Sequence, residues 1–181
     1  WNIRSDRVVF GKEGINAGNG MYLSAPIYGT GGKTAWVKLG RWNSYGDAHD
    51  CEIDVYTGNG YNGDYAQNTK IEIFIKDGWQ SNPSINNSFG ASYIISHNYY
   101  SDIKVKILAQ TDSTCDVWVY MPWEYWNGHY TFKGYGAWEH SAINQSSEPQ
   151  DGASQSCQKL QTVIARDSGD GRDITFAYSK D

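Results

Sequence analysis

The sequence predicts an all-β domain, an antiparallel β-sandwich or barrel-like fold with little or no helix. Three observations carry this prediction. Apolar residues recur with a period of two in nearly every apolar segment. Clusters of Gly, Asn and Asp separate those segments. No stretch shows helical spacing, residues 140–147 being the best candidate and holding one turn at most.

The strands follow in chain order. Arg7-Val8-Val9-Phe10 is a short first run. Residues 33–40 place Ala35, Val37 and Leu39 on one face. In residues 51–56, Cys51 shares its parity with Ile53 and Val55. Residues 70–76 turn Ile71, Ile73 and Ile75 inward and Lys70, Glu72, Phe74 and Lys76 outward. Residues 92–95, 102–108, 115–121, 130–132, 160–165 and 173–178 complete a set of nine or ten strands across 181 residues. One-sided alternation of this kind marks antiparallel sheets with one wet face, whereas buried parallel strands read as continuous apolar runs. Turns fall at residues 16–20, 29–32, 58–60 and 62–64, where Gly supplies positive φ without steric cost. The polar stretch 144–158 reads as a long surface loop. Residues 1–181 read as a single β domain, and since Trp1 is no initiator methionine the chain reads as a mature product or an excised piece of a longer one.

Composition narrows the function classes. Fifteen Lys+Arg against twenty Asp+Glu give a net charge of -5. Without basic clusters there is no electrostatic footprint for nucleic acid. No apolar run approaches the ~20 residues that span a bilayer. Cys51 and Cys115 share parity with aliphatic neighbours and read as buried small hydrophobes; Cys157 lies in a polar stretch. A Cys51–Cys115 disulfide is the alternative. No His/Cys spacing points to zinc, and neither metal nor cofactor is expected.

Aromatic residues make up 15% of the chain. Trp36, Tyr56, Phe74, Trp118 and Tyr120 fall on the parity of Lys and Asp, opposite the aliphatics. A solvated face does not need so many rings, so a second layer or another chain should cover them.

The remaining aromatics cluster in turns. Residues 122–130 hold Trp123, Glu124, Tyr125, Trp126, Asn127 and His129. Flat rings stack on the C–H faces of a pyranose while Glu, Asn and His bond its hydroxyl rim. Residues 41–50, with Trp42, Tyr45 and Asp47, and residues 77–82, with Trp79, have the same composition. These ten residues are the candidate ligand-binding set. Catalysis is the weaker reading. A glycosidase needs two carboxylates at one of two separations across the bond, and Asp47, Asp50, Glu52 and Glu124 read more simply as loop and strand-face acids. No nucleophile elbow, zinc motif or phosphate loop occurs.

Residues 15–23, the run Trp36-Val37-Lys38-Leu39-Gly40-Arg41-Trp42, the run from Cys51 to Asn62, and the strand Ile71–Ile75 together resemble C-terminal receptor-binding (adhesin) domains of tailed-bacteriophage tail-fibre and tailspike proteins. The resemblance implies a mostly β homotrimer at the distal end of a virion fibre, assembled in the host cytoplasm. It implies attachment to a bacterial surface glycan, lipopolysaccharide or capsule, or to an outer-membrane protein. Two other readings stay open: a fragment of a polysaccharide-degrading tailspike enzyme, and a structural trimerisation module.

Overall fold

The computed structural model describes residues 3–4, 7–10, 20–27, 35–46, 48–57, 69–78, 88–96, 103–121, 128–141, 143–160, 164–167 and 174–177. They form sixteen strands: β1 (Ile3–Arg4), β2 (Arg7–Phe10), β3 (Gly20–Ile27), β4 (Ala35–Asn43), β5 (Asp50–Thr57), β6 (Thr69–Asp77), β7 (Phe89–Ser96), β8 (Lys104–Ala109), β9 (Thr114–Met121), β10 (Gly128–Tyr135), β11 (Ala137–His140), β12 (Asn144–Gln145), β13 (Ala153–Ser154), β14 (Ser156–Lys159), β15 (Ile164–Asp167) and β16 (Ile174–Ala177).

Two sheets make a sandwich. The larger runs β1-β2-β3-β10-β5-β6-β7-β14; the smaller runs β11-β4-β9-β8-β13, with β12 also on β4. β15 and β16 pair with each other. Pairing is antiparallel except where β14 lies parallel to β7. Neither sheet closes on itself, so the fold is a sandwich and not a barrel. The core between the sheets takes Leu23, Ile53, Val55, Ile71, Ile73, Ile75 and Phe132 from one side and Val37, Leu39, Ile107, Val117 and Val119 from the other. Burial of one face per strand is what the period-two pattern requires. Cys51 and Cys115 both lie in this core as free thiols. Loss of hydration pushes both thiols well above their ordinary range.

β4 departs from simple alternation. Its register against β9 shifts between Lys38 and Gly40, which leaves Leu39 as an extra residue, a β-bulge. One added residue exchanges the faces beyond it. Val37 points inward before the bulge, Leu39 at it and Trp42 after it. A side chain at Gly40 would strike the Trp138 ring at 2.4 Å, so the bulge needs glycine there.

A buried network ties the sheets together. Tyr130, on β10, donates its hydroxyl proton to Leu39 O at 2.8 Å and accepts from Trp138 Nε1 at 2.9 Å. His140 Nδ1 lies 2.7 Å from the same oxygen. A phenol oxygen has one proton and two lone pairs. The arrangement that gives all three contacts a proton has His140 Nδ1–H as donor. Tyr130→Phe removes the hub and leaves the Trp138 N–H without this acceptor. An expected loss of about 1–3 kcal/mol follows from stranding a buried polar group. Urea unfolding would show it as a lower midpoint at unchanged slope.

The smaller sheet's outer face accounts for part of the aromatic excess. Trp36, Tyr120 and Lys104 form one row across β4, β9 and β8; Lys38, Trp118 and Lys106 form the next; Arg41, Asp116 and Leu108 form the third. Asp116 is held by Lys38 at 2.7 Å and by Arg41 through Nε at 2.6 Å and Nη2 at 2.9 Å. The chain from β12 to β13 straps this face, since β12 pairs with β4 and β13 with β8. Glu148 on the strap bonds Lys106, and Pro149 is buried. Trp36 and Trp118 are thereby buried, with Tyr120 packed against them. The expected covering layer is this chain's own strap, so these two rings supply no motive for a second chain. The expected surface loop 144–158 is also corrected: it holds β12, β13 and β14. Residues 140–147 contain strand in place of the helical turn.

Candidate functional site

The strand registers place the connections at two opposite ends. At one end, 44–49 joins β4 to β5, 78–88 joins β6 to β7, 110–113 joins β8 to β9, and Gly136 joins β10 to β11. The pairs Asn43↔Thr114, Asp77↔Phe89 and Cys51↔Gly134 bring these together. At the other end, 28–34, 58–68, 97–103 and 122–127 leave from strand ends paired as Thr57↔Gly128, Thr57↔Thr69 and Ala35↔Met121. Strands of about eight residues, rising ~3.3 Å each, put the ends roughly 25 Å apart.

Of the predicted ligand-binding residues, the structure describes Trp42, Tyr45 and His129. Trp123, Glu124, Tyr125, Trp126 and Asn127 lie outside the described residues, in the segment running from Met121 to Gly128. His129 is exposed beside that segment and stacks on Tyr56 at 4.8 Å. Lys70 sits 5.6 Å from the Tyr56 ring centroid and bonds both Asp54 and Glu72. Asp47 and Trp79 also lie outside the described residues. Trp42 is fully buried; its Nε1 donates to Tyr135 O at 2.7 Å and its ring packs against Phe89. The bulge turns Trp42 into the core, so it offers no face to a ligand, and that assignment is corrected.

Tyr45 is the predicted residue that the structure presents most openly, with 61% of its surface exposed. It stands in a turn fastened by several hydrogen bonds. The Tyr45 amide donates to Asn43 Oδ1 at 3.0 Å. The Gly46 amide donates to Ser44 Oγ at 3.1 Å, and the Ser44 amide to Ser113 O at 2.9 Å. His49 Nδ1 lies 2.7 Å from Ser44 O. A carbonyl cannot donate, so Nδ1 carries the proton. The Asp77 amide in turn donates to His49 O at 2.9 Å. This web holds Tyr45 at φ 61 and Ala48 at φ 55, a left-handed conformation that costs non-glycine residues about 1 kcal/mol or more each.

Beside the turn, His49 stacks on Tyr135 at 4.8 Å and 13°. Tyr135 is 41% exposed. Beneath it Asp77 is fully buried, its carboxyl in hydrogen-bond contact with Ser44 Oγ. Sequence reasoning named neither His49 nor Tyr135 as a ligand contact, nor Ser44 or Asp77 as supports. Among the described residues no three His, Cys, Asp or Glu side chains gather as a metal site requires.

No family model matches the chain. No curated protein matches it either. Among solved structures it is similar to a Pantoea stewartii protein, WceF, described as a glycan biofilm modifying enzyme with a bacteriophage tailspike-like parallel β-helix fold, at 12% identity and a TM-score of 0.53. The match covers 72% of this chain and 21% of that one. This chain therefore spans about a fifth of that protein. Among the described residues here the only parallel pair is β7 with β14, so they form an antiparallel sandwich. The class these data define is an all-β, sandwich-like domain with a distant tailspike-like structural neighbour.

Proposed function

We propose that this chain is a receptor-binding domain of a tailed-phage fibre or tailspike, which attaches to host surface glycan, lipopolysaccharide or capsule, without cutting it. The observation that carries this reading is the fastened turn 43–49, which presents Tyr45 beside the Tyr135–His49 stack. Backbone strain persists only where surroundings over-determine it, and it concentrates at binding and catalytic positions. Rigid exposed aromatics give contact area at low entropic cost, and a sugar's apolar face suits them. Polar groups beside them, Asn43 and His49, suit the hydroxyl rim. The likeness to a glycan-modifying, tailspike-like protein supports the same substrate class.

Binding at one such platform is weak alone, and a trimer would multiply it through effective concentration. Sedimentation should then give the mass of three chains; a strict monomer at micromolar concentration would remove the trimer from the proposal. A screen of the purified domain against bacterial surface polysaccharides and host cells tests the reading. The expected result is retention of polysaccharide with its chain length unchanged. Shortening of the polysaccharide would establish the enzymatic alternative, and failure to bind any host surface would leave a structural module.

A further inference from the structure

The Ser44 hydroxyl beneath the Tyr45 turn meets three groups. Gly46 N donates to it, while Asp77 Oδ2 and Ser113 O, the latter at 3.0 Å, both lie in hydrogen-bond contact with it. One hydroxyl has one proton and two lone pairs. If Asp77 is ionised, that proton serves either the carboxylate or Ser113 O, and the other oxygen–oxygen contact holds no hydrogen. If Asp77 is protonated, every contact is served. Asp77 donates to Ser44, Ser44 donates to Ser113 O, and Gly46 N–H fills the last lone pair. Asp77 Oδ1 has no partner among the described residues. A buried neutral acid tolerates that far better than a buried anion.

We propose that Asp77 is a protonation-controlled latch, neutral when it locks the turn that presents Tyr45 and releasing that turn when it ionises. The proposal rests on the function proposed above only in identifying that turn as the binding surface. Burial is the main influence on Asp77 and raises its carboxyl above the ordinary value; the Ser44 bond, the nearby Gly78 amide and His49 lower it, and Asp112 raises it. From the packed elements the titratable groups near it are His49, Asp112 and Cys115. The sign follows from the raised value. In strong acid both folded and unfolded chains hold the proton and the latch is closed. As pH rises through the ordinary aspartate range the unfolded chain loses its proton first. Stability then falls until pH passes the folded value.

Amide exchange of Tyr45 and Gly46, corrected for intrinsic rates, should be slowest in acid. It should speed up toward neutrality by about tenfold for each unit that the folded carboxyl lies above its ordinary value. Asp77→Asn supplies a neutral donor to Ser44 and should keep slow exchange at all pH. Carbon-13 NMR of the Asp77 carboxyl in the unaltered chain gives a second reading that needs no variant. A carboxyl titrating at or below the ordinary value, or Asp77→Asn that loosens with pH as the parent does, would overturn the latch. A working latch in a domain that binds no glycan would overturn the proposed function alone, and intact glycan binding with pH-independent exchange would overturn the latch alone.

Discussion

Replacing Trp42 by alanine is expected to destabilise the domain by about 3–5 kcal/mol, the range for deleting a large buried aromatic side chain. Trp42 is fully buried and packs against Phe89 at a ring separation of 5.8 Å. Its N–H serves Tyr135 O across the sheets, and that carbonyl would lose this donor. Domains of this kind have only about 5–15 kcal/mol of stability, so the loss takes a large share. Trp42→Phe should fall between, retaining ring volume while losing the N–H. Urea unfolding of both variants measures this. A Trp42→Ala protein as stable as the parent but weaker toward glycan would return Trp42 to the ligand-binding set.

Gly136→Ala is the second large effect, expected at about 3 kcal/mol or more. The residue has φ +90, which side-chain-bearing residues rarely adopt, and its added Cβ would stand 2.0 Å from Asn43 O and 3.2 Å from Ser44 Cα. Both obstacles are backbone, so the corner must shift. That corner carries the chain from the larger sheet to the smaller one and flanks both Tyr135 and the Tyr45 turn. Thermal unfolding should show a markedly lower midpoint. Gly90→Ala is the control, because nothing lies within 4 Å of a Cβ there; it should be close to neutral. Equal effects at the two glycines would contradict the account of the corner.

The sandwich was legible because it depends on period two, and Ile71, Ile73 and Ile75 point inward as that period demands. Asp77 continues the same parity, two residues past Ile75, so a buried carboxyl was also readable there and was overlooked. Trp42 was placed in a loop because alternation was read as ending at Gly40, whereas β4 runs on to Asn43 and its bulge turns Trp42 inward. Gly40, squeezed against Trp138, was the local signal. Residues 144–158 were read as loop because they lack apolar character. Edge strands and straps need only backbone pairing on one side, so β12, β13 and β14 leave little trace in composition. The ligand residues were harder still. Turn composition marked the aromatic segments 41–50, 77–82 and 122–130 but could not place them relative to one another. The Tyr135–His49 stack joins residues far apart in sequence, and no local pattern announces it.

The central claim is that glycan binds at the Tyr45 end. Calorimetric titration of a bound polysaccharide against Tyr45→Ala and against the pair Trp123→Ala and Trp126→Ala tests it most directly. Loss of about 1–3 kcal/mol of binding with Tyr45→Ala, as for truncation of an aromatic anchor, and unchanged affinity in the tryptophan variants is the predicted result. Unchanged affinity in Tyr45→Ala, with the loss falling instead on Trp123→Ala or Trp126→Ala, would contradict it and move the site to the opposite end.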